Sequence, residues 1–316
     1  MIVVGFDEAG YGPTLGPLVV GYSAFRIEGA LADPPCLWKA LETAVRSGAR
    51  GEASKVWVAD SKAIKPRKDG LKHLELGVLA FADFRESMTL EDLLSALGVG
   101  DHVAKQAWFG DLAATKIPAK AWPGEVASRA DRIAEASQAS GVHFLDAAVR
   151  VYDARTYNDR VEETRNKGAV LEEACVSLVR SLRQRHTGDL HLTFDKHGGR
   201  NRYLRLLGRA FPMCALEIEH EGAEESSYTT VTPQGAVRAL FRRSAEDESL
   251  PVALASMHCK YLREQLMARF NAWFGERIPG VKPTAGYALD AKRFLADVEQ
   301  DLPRLGVARR ALVRSR

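Results

Sequence analysis

Apolar residues open the chain as a short unbroken run, Ile2-Val3-Val4-Gly5-Phe6, which ends in two carboxylates, Asp7 and Glu8. A Gly/Pro turn follows, and residues 16–27 are again rich in β-branched and aromatic side chains. That pattern predicts two antiparallel strands joined by the turn. Lys55-Val56-Trp57-Val58-Ala59 predicts a third strand, with a short helix over 36–47 before it. Residues 70 to about 150 are less regular. Helical patches stand at 89–97 and 124–140, with Pro118 and Pro123 as breakers, so the region reads as an inserted helical subdomain or an elaborated connection. From Thr156 to His186 the pattern is strongly helical: Val170, Leu171, Ala174, Cys175, Leu178, Val179 and Leu182 recur at helical spacing. This helix feeds a strand, His191 to Asp195, that also ends in an acid. Cys214 to Ile218 is a fifth strand, and helices follow over about 252–275 and 288–301.

These elements predict a single α/β domain, a five-stranded mixed sheet with helices on its faces and 70–150 inserted. Asp7 and Asp195 both end strands. Lying parallel and adjacent, those strands would bring the two acids to one rim, where open α/β sheets place ligands.

Composition narrows the picture only a little. The chain has 316 residues, is 46% hydrophobic and 27% charged, and carries a net charge of +3, so overall charge does not imply a nucleic-acid partner. The basic residues are uneven. From Pro303 onward Arg304, Arg309, Arg310, Arg314 and Arg316 occur with no acid, either as a solvated, frayed helix end or as a phosphate-contacting tail. Cys36, Cys175, Cys214 and Cys259 form no C-x-x-C pair and read as reduced, buried thiols of a cytosolic protein. The chain enters its first strand without a basic n-region, so no signal peptide is expected. No apolar run is long enough to span a membrane, and the expected location is cytoplasmic.

The acidic pair changes the picture more. Adjacent carboxylates repel, and partial burial adds to the cost. A divalent cation is the simplest offset. A dinucleotide-loop reading of Gly10-Tyr11-Gly12 fails, because Leu15 stands at the third fingerprint position and no Gly-Lys-Ser/Thr follows. A two-metal phosphodiester site instead needs several carboxylates around ions about 3.5–4 Å apart. Asp7, Glu8 and Asp195 supply three, and Glu264 is a fourth candidate on a helix that could cross the same rim.

The run Asp7-Glu8-Ala9-Gly10-Tyr11-Gly12-Pro13 through Gly16-Pro17 resembles the opening of type 2 ribonucleases H. Asp60-Ser61-Lys62 is similar to that family's next motif, and Phe194-Asp195 falls where the family carries its third acid. Ala253 to Glu264 resembles its Ala-Ser-Ile…Ala-Lys…Arg-Asp helix, and Gly286-Tyr287 echoes a later Gly-Tyr. The resemblance covers roughly half the chain, in the family's order. It implies a ribonuclease-H-like fold, and Asp7, Glu8, Asp195 and Glu264 as ligands of two Mg²⁺ or Mn²⁺ ions. It further implies hydrolysis of RNA in RNA–DNA hybrids, or at ribonucleotides in duplex DNA, leaving a 5′ phosphate. Gly10, Tyr11, Gly12, Lys62, Lys260 and Tyr287 would meet that substrate.

Two positions depart from the family pattern: Tyr11 replaces an arginine, and Glu264 replaces an aspartate. Tyr11 opens two other readings: a related nuclease for another substrate such as branched DNA, and a non-catalytic nucleic-acid-binding relative. Lys196 to Arg202 lies outside the pattern. It reads as a phosphate clamp carried by Lys196 and Arg200 or as a basic loop opening a helix, with His197 a proton carrier or an ordinary loop histidine. The acidic run Glu217 to Tyr228 is a solvated edge, or a source of one more carboxylate from Glu224 or Glu225.

Overall fold

The computed structural model describes residues 1–29, 33–84, 86–100 and 103–315. Seven strands form its main sheet: β1 (Ile2–Ala9), β2 (Leu18–Ile27), β3 (Val142–Tyr152), β4 (Leu190–Asp195), β5 (Leu216–Glu221), β6 (Glu225–Thr232) and β7 (Gly235–Arg242). Their order is β3-β2-β1-β4-β7-β6-β5. The central trio β1, β4 and β7 is parallel, and the outer pairings are antiparallel. The mixed α/β sheet expected from the sequence is therefore present, with seven strands rather than five.

Besides the seven-residue helix Leu90–Ala96 and shorter turns, the helices are α1 (Gly70–Phe81), α2 (Pro123–Ser140), α3 (Ala154–Thr164), α4 (Lys167–Arg185), α5 (Leu204–Ala210), α6 (Leu250–Arg277) and α7 (Ala288–Val298). The uninterrupted apolar run of β1 is explained by burial on both faces. Val3 belongs to the core shared with α1, α2 and α6, while Ile2, Val4 and Phe6 point to the opposite core beneath α4 and α5.

Helix α6 lies directly on the sheet because Gly5 has no side chain. A Cβ at that position would lie 2.0 Å from the Val252 nitrogen and 2.2 Å from the Pro251 carbonyl carbon. Ser23 Oγ donates to the Pro251 carbonyl at 2.7 Å and fixes the same crossing. On its other side α6 meets α1 through a buried carboxylate. Glu75 accepts from the Tyr261 hydroxyl and from the backbone nitrogens of Ala119, Lys120 and Ala121, each at 2.7 Å. Four donors on one carboxylate offset its removal from water.

Several elements differ from the sequence expectation. Strand β3 closes the stretch read as an inserted helical subdomain or an elaborated connection; it pairs with β2 across a register shift between Ala24 and Phe25, and its mixed pattern hides the period of two. Helix α1 also went unread there. Lys55–Ala59 contributes only Val56–Trp57, paired with Val45–Arg46 outside the main sheet, and the helix over 36–47 shrinks to Leu37–Ala40. The helix over 156–186 breaks at Arg165 and Asn166, where Asn166 caps α4 by accepting from the Gly168 nitrogen at 2.9 Å. The run Glu217 to Tyr228 is a solvated edge along β5, the last strand of the sheet, but it leads into an unexpected hairpin, β6–β7. Its buried Ser226 and Thr230 bond to the carbonyls of Asn201 (2.7 Å) and Ala215 (2.6 Å), so a hydrophobic pattern misses it.

The basic tail is docked rather than frayed. Val313 bridges to Leu15, the Arg314 nitrogen donates to the Thr14 carbonyl at 2.9 Å, and Asn158 Nδ2 donates to the carbonyls of Arg310 (3.0 Å) and Val313 (2.7 Å). Arg304, Arg309 and Arg310 pair with Asp301, Glu299 and Asp159. Arg316 lies outside the described residues.

Gly5→Ala should lift α6 off β1 and cost about 3 kcal/mol in urea unfolding. Gly12→Ala, whose added Cβ meets nothing within 4 Å, should change stability by less than about 0.5 kcal/mol. Equal losses in the two variants would refute the close-approach explanation.

Candidate active site

Strand pairing sets the site. Phe6 of β1 stands opposite Phe194 of β4, which stands opposite Phe241 of β7. The rings stack nearly parallel, with centroids 4.2 Å apart for Phe6–Phe194 and 4.5 Å for Phe194–Phe241. Tyr203, just before α5, extends the stack at 3.7 Å from Phe241. Asp7 and Asp195 are each the next residue along their strands, so both emerge at the same end of the parallel trio.

Asp7 is buried, and its Oδ1 accepts from the Glu8 nitrogen at 2.7 Å. Burial, then the Glu8 charge, holds its pKa well above the usual carboxylate range, opposed by a hydrogen bond from Ser256. Glu8 is pushed up to about 7 by burial and by the charge of Asp195, with Lys62 acting against the rise. Asp195 is raised by burial, opposed by the Ala245 nitrogen at 3.3 Å and by Lys62.

A fourth carboxylate joins them. Glu246 lies in the short 3₁₀ turn Ala245–Asp247 that follows β7. Burial and then the Asp195 charge raise its pKa, and its Oε2 is buried without a hydrogen-bond partner. The Lys62 ammonium lies 3.7 Å from Glu246 Oε1 and 3.9 Å from Asp60 Oδ2. Burial alone would lower the lysine's pKa, but Asp60, Asp7, Glu246 and Asp195 raise it. Asp60 caps the helix Ser61–Ile64 through the Lys62 nitrogen at 3.0 Å, and the hydroxyls of Ser61 and Ser256 of α6 are hydrogen-bonded at 2.9 Å. The Asp60-Ser61-Lys62 motif is thus tied to the helix that buttresses Asp7.

Glu264 does not join this group. It pairs with Lys260 at 2.8 Å and Lys65 at 3.1 Å, and these lysines hold its pKa low despite burial. The carboxylate facing Asp195 is Glu246, which sequence reasoning missed. Its signal was the acidic run Glu246-Asp247-Glu248, visible only once β7 is recognised as a strand ending on the same rim.

The remaining expected residues divide. Gly10 and Gly16 adopt positive φ (+89° and +81°), and a Cβ on Gly10 would lie 2.5 Å from Arg263 Nε. Buried Arg263 backs the turn by donating to the carbonyls of Leu15 (3.4 Å) and Ala285 (3.1 Å). Gly286, also at positive φ, accepts from the Thr14 nitrogen at 2.8 Å, which places the half-exposed Tyr287 beside the turn. Tyr11 is partly exposed, with the Lys167 ammonium 5.4 Å from its ring centroid.

Lys196 is buried and donates to Asn201 Oδ1 (2.9 Å) and the Gly222 carbonyl, so it braces a loop. Arg200 pairs with Glu172 at 2.9 Å, a carboxylate it shares with Arg205 and Arg209. His197 is pulled down to about 3 by burial, which makes it a neutral packing residue rather than a proton carrier. Glu224 and Glu225 pair with Arg243 (3.1 Å) and Arg242 (3.5 Å).

The donor set suits a hard cation: four carboxylates whose mutual repulsion is only partly relieved by Lys62, one with an unpartnered buried oxygen. Among the described residues, no three Asp, Glu, His or Cys side chains are gathered as ligands of one ion. Ion binding would therefore require these carboxylates to close in.

No family model and no curated protein matches the chain. Similar solved structures include the RNase HII of Archaeoglobus fulgidus in its complex with PCNA, at 15% identity and TM-score 0.43 over 100% of this chain and 95% of that one. The ribonuclease H2 of Pyrococcus horikoshii OT3 is 14% identical at TM-score 0.45, over 99% and 92%. Bst-RNase HIII in complex with Mn²⁺ is 15% identical at TM-score 0.43, over 99% and 66%. Overlap this loose leaves the meaning of the site to its own residues.

With divalent ions removed by EDTA at pH 8, Glu8→Gln and Glu246→Gln should each stabilise the protein by about 1 kcal/mol, because each removes one charge from a repelling group. Denaturant melts check this. Destabilisation in both would mean that attraction to Lys62 outweighs the repulsion.

Proposed function

We propose that this chain is a metal-dependent endoribonuclease that cleaves RNA in RNA–DNA hybrids or at ribonucleotides in duplex DNA. The observation that carries the reading is the meeting of Asp7, Glu8, Asp195 and Glu246 at one end of the parallel strands. Asp7, Glu8, Asp195 and Glu246 would hold two Mg²⁺ or Mn²⁺ ions, with Glu246 in the place the sequence assigned to Glu264. What the bound ions supply is a more acidic water and charge neutralisation at the departing 3′ oxygen.

The residues of the chain do the rest. Ser256 and the Glu8 nitrogen fix the Asp7 carboxylate. Lys62 offers an ammonium to a non-bridging phosphate oxygen as the carboxylates turn toward the ions. Gly12, open on its outer side, lets a sugar-phosphate backbone approach the turn, and Gly10 lets Arg263 hold that turn from behind. Tyr11 and Tyr287 flank it with rings able to stack on a sugar or base. Tyr11 in place of a guanidinium leaves junction preference to be set by stacking and backbone contacts.

Asp7→Asn and Glu246→Gln should abolish Mg²⁺- or Mn²⁺-dependent cleavage of a hybrid while preserving the far-UV spectrum, and Glu264→Gln should retain cleavage. Mn²⁺ should raise the melting temperature of the wild type but not of Glu246→Gln. Retained cleavage in Asp7→Asn would refute the mechanism. Loss in Glu264→Gln with retention in Glu246→Gln would return the fourth position to Glu264. A panel of hybrid, single-ribonucleotide, double-stranded RNA and branched DNA substrates tests the substrate class, and cleavage confined to branched DNA would overturn the ribonuclease reading.

A further inference from the structure

Beside the glycine turn lies a cavity of about 290 Å³, lined by Tyr11, Gly12 and Thr14 of the turn, Tyr157 of α3, Lys167 of α4 and Arg314 of the docked tail. Ligand pockets run from roughly 300 Å³ upward, so this one suits a small group rather than a cofactor.

Its charge is one-sided. Arg314 is only 3% exposed. One Nη donates to the Pro13 carbonyl, and the guanidinium lies 5.0 Å from the Tyr157 ring centroid. Its Nε and its other Nη are buried with no hydrogen-bond partner. Among the described residues no carboxylate lines the cavity, and the nearby acids Asp159 and Glu299 are bound to Arg310 and Arg309. A buried guanidinium with two unused donors and no counter-ion is costly unless an anion completes it. Burial, joined by the Arg263 charge and opposed by Tyr157, lowers its pKa to about 10 and leaves it charged at neutral pH.

Two further features point the same way. Lys167 is the first residue of the 19-residue helix α4 and adds a second cation at the cavity wall. The positive end of that helix's dipole faces the same place, although Asn166 already accepts from the Gly168 nitrogen. A guanidinium with two unpartnered nitrogens at the wall, a flexible ammonium and a helix N-terminus together match the charge of a phosphate.

We propose that this cavity binds a phosphate oxyanion. Resting on the nuclease reading, the phosphate is one of the nucleic-acid backbone laid across Gly10–Gly12. Held there, the strand gains a fixed point on the side of the turn formed by the tail, and its register at the carboxylates is set by a contact that reads no base.

The test uses the full chain in two arms. Inorganic phosphate at constant ionic strength is titrated by ³¹P NMR against wild type, Arg314→Gln and Lys167→Ala, with circular dichroism confirming the fold. Arg314→Gln should weaken phosphate binding roughly ten- to hundredfold, the loss expected for a charge-assisted hydrogen bond. Lys167→Ala removes an exposed side chain, so it keeps the test open if Arg314→Gln fails to fold; it should weaken binding in the same direction. In the second arm an RNA–DNA hybrid is bound with Ca²⁺ in place of Mg²⁺ over a range of salt. Either variant should reduce the slope of log K against log salt by about one.

No phosphate binding by the wild type, or equal binding by all three proteins, overturns the proposal. Phosphate binding lost in the variants with an unchanged hybrid slope overturns the backbone assignment and leaves a site for free phosphate. Phosphate binding lost in the variants, with no hybrid binding by any of the three, supports the cavity while refuting the nuclease reading.

Discussion

The arrangement of the molecule depends on the parallel pairing of β1 with β4. Parallel strands need a long crossover, and here the intervening chain supplies β2, the edge strand β3 and helices on both faces before it returns. The return must arrive in a single register. Phe6, Phe194 and Phe241 set that register by stacking across three strands, and Tyr203 closes the stack from α5. A slip of one residue would turn Asp195 to the opposite face and bring Phe194 or Lys196 level with Asp7. The apolar ladder beneath the rim thus makes an acidic group above it possible. Without such enforcement, carboxylates that raise one another's pKa would separate.

A second constraint acts from above the sheet. Helix α6 approaches β1 as closely as backbone allows, because Gly5 yields the space. The same helix carries Ser256 to Asp7 and Ser61, and Arg263 to the rear of the glycine turn. One helix therefore sets the heights of the acidic pair, the Lys62 segment and the turn together. Glu264 lies further along it and faces Lys65 and Lys260, where it joins the helix to the segment after Lys62 rather than serving the rim.

The legible parts of the sequence were those with strong local grammar. β1 announced itself by an apolar run, α4 by helical periodicity, and the turn by its glycines. Asp7, Glu8 and Asp195 were readable because each ends a strand that could be seen. Glu246 was hidden because the strand leading to it was not recognised: β6 is built from Ser and Thr whose burial depends on hydrogen bonds to distant carbonyls, and in β7 the buried Val237, Ala239 and Phe241 alternate with less buried residues that include Arg238 and Arg242. β3 was hidden by its position at the sheet edge and by its irregular pairing. Lys196 and Arg200 looked available because sequence shows a charge but not its partner. Asn201, Gly222 and Glu172 lie several to many residues away.

The tail carries a consequence for the order of folding. The turn over Gly10–Gly16 is among the first segments of the chain, yet it is closed by Val313 and Arg314, the latter bonded to Pro13 across 301 positions. Contacts of such separation form late, because loop closure must precede any gain from them. The sheet and its acidic rim can assemble while this turn is still unbacked on the tail side. A refolding protein would thus acquire its carboxylates first and the finished surface around Tyr11 last, and the two events are separable in time.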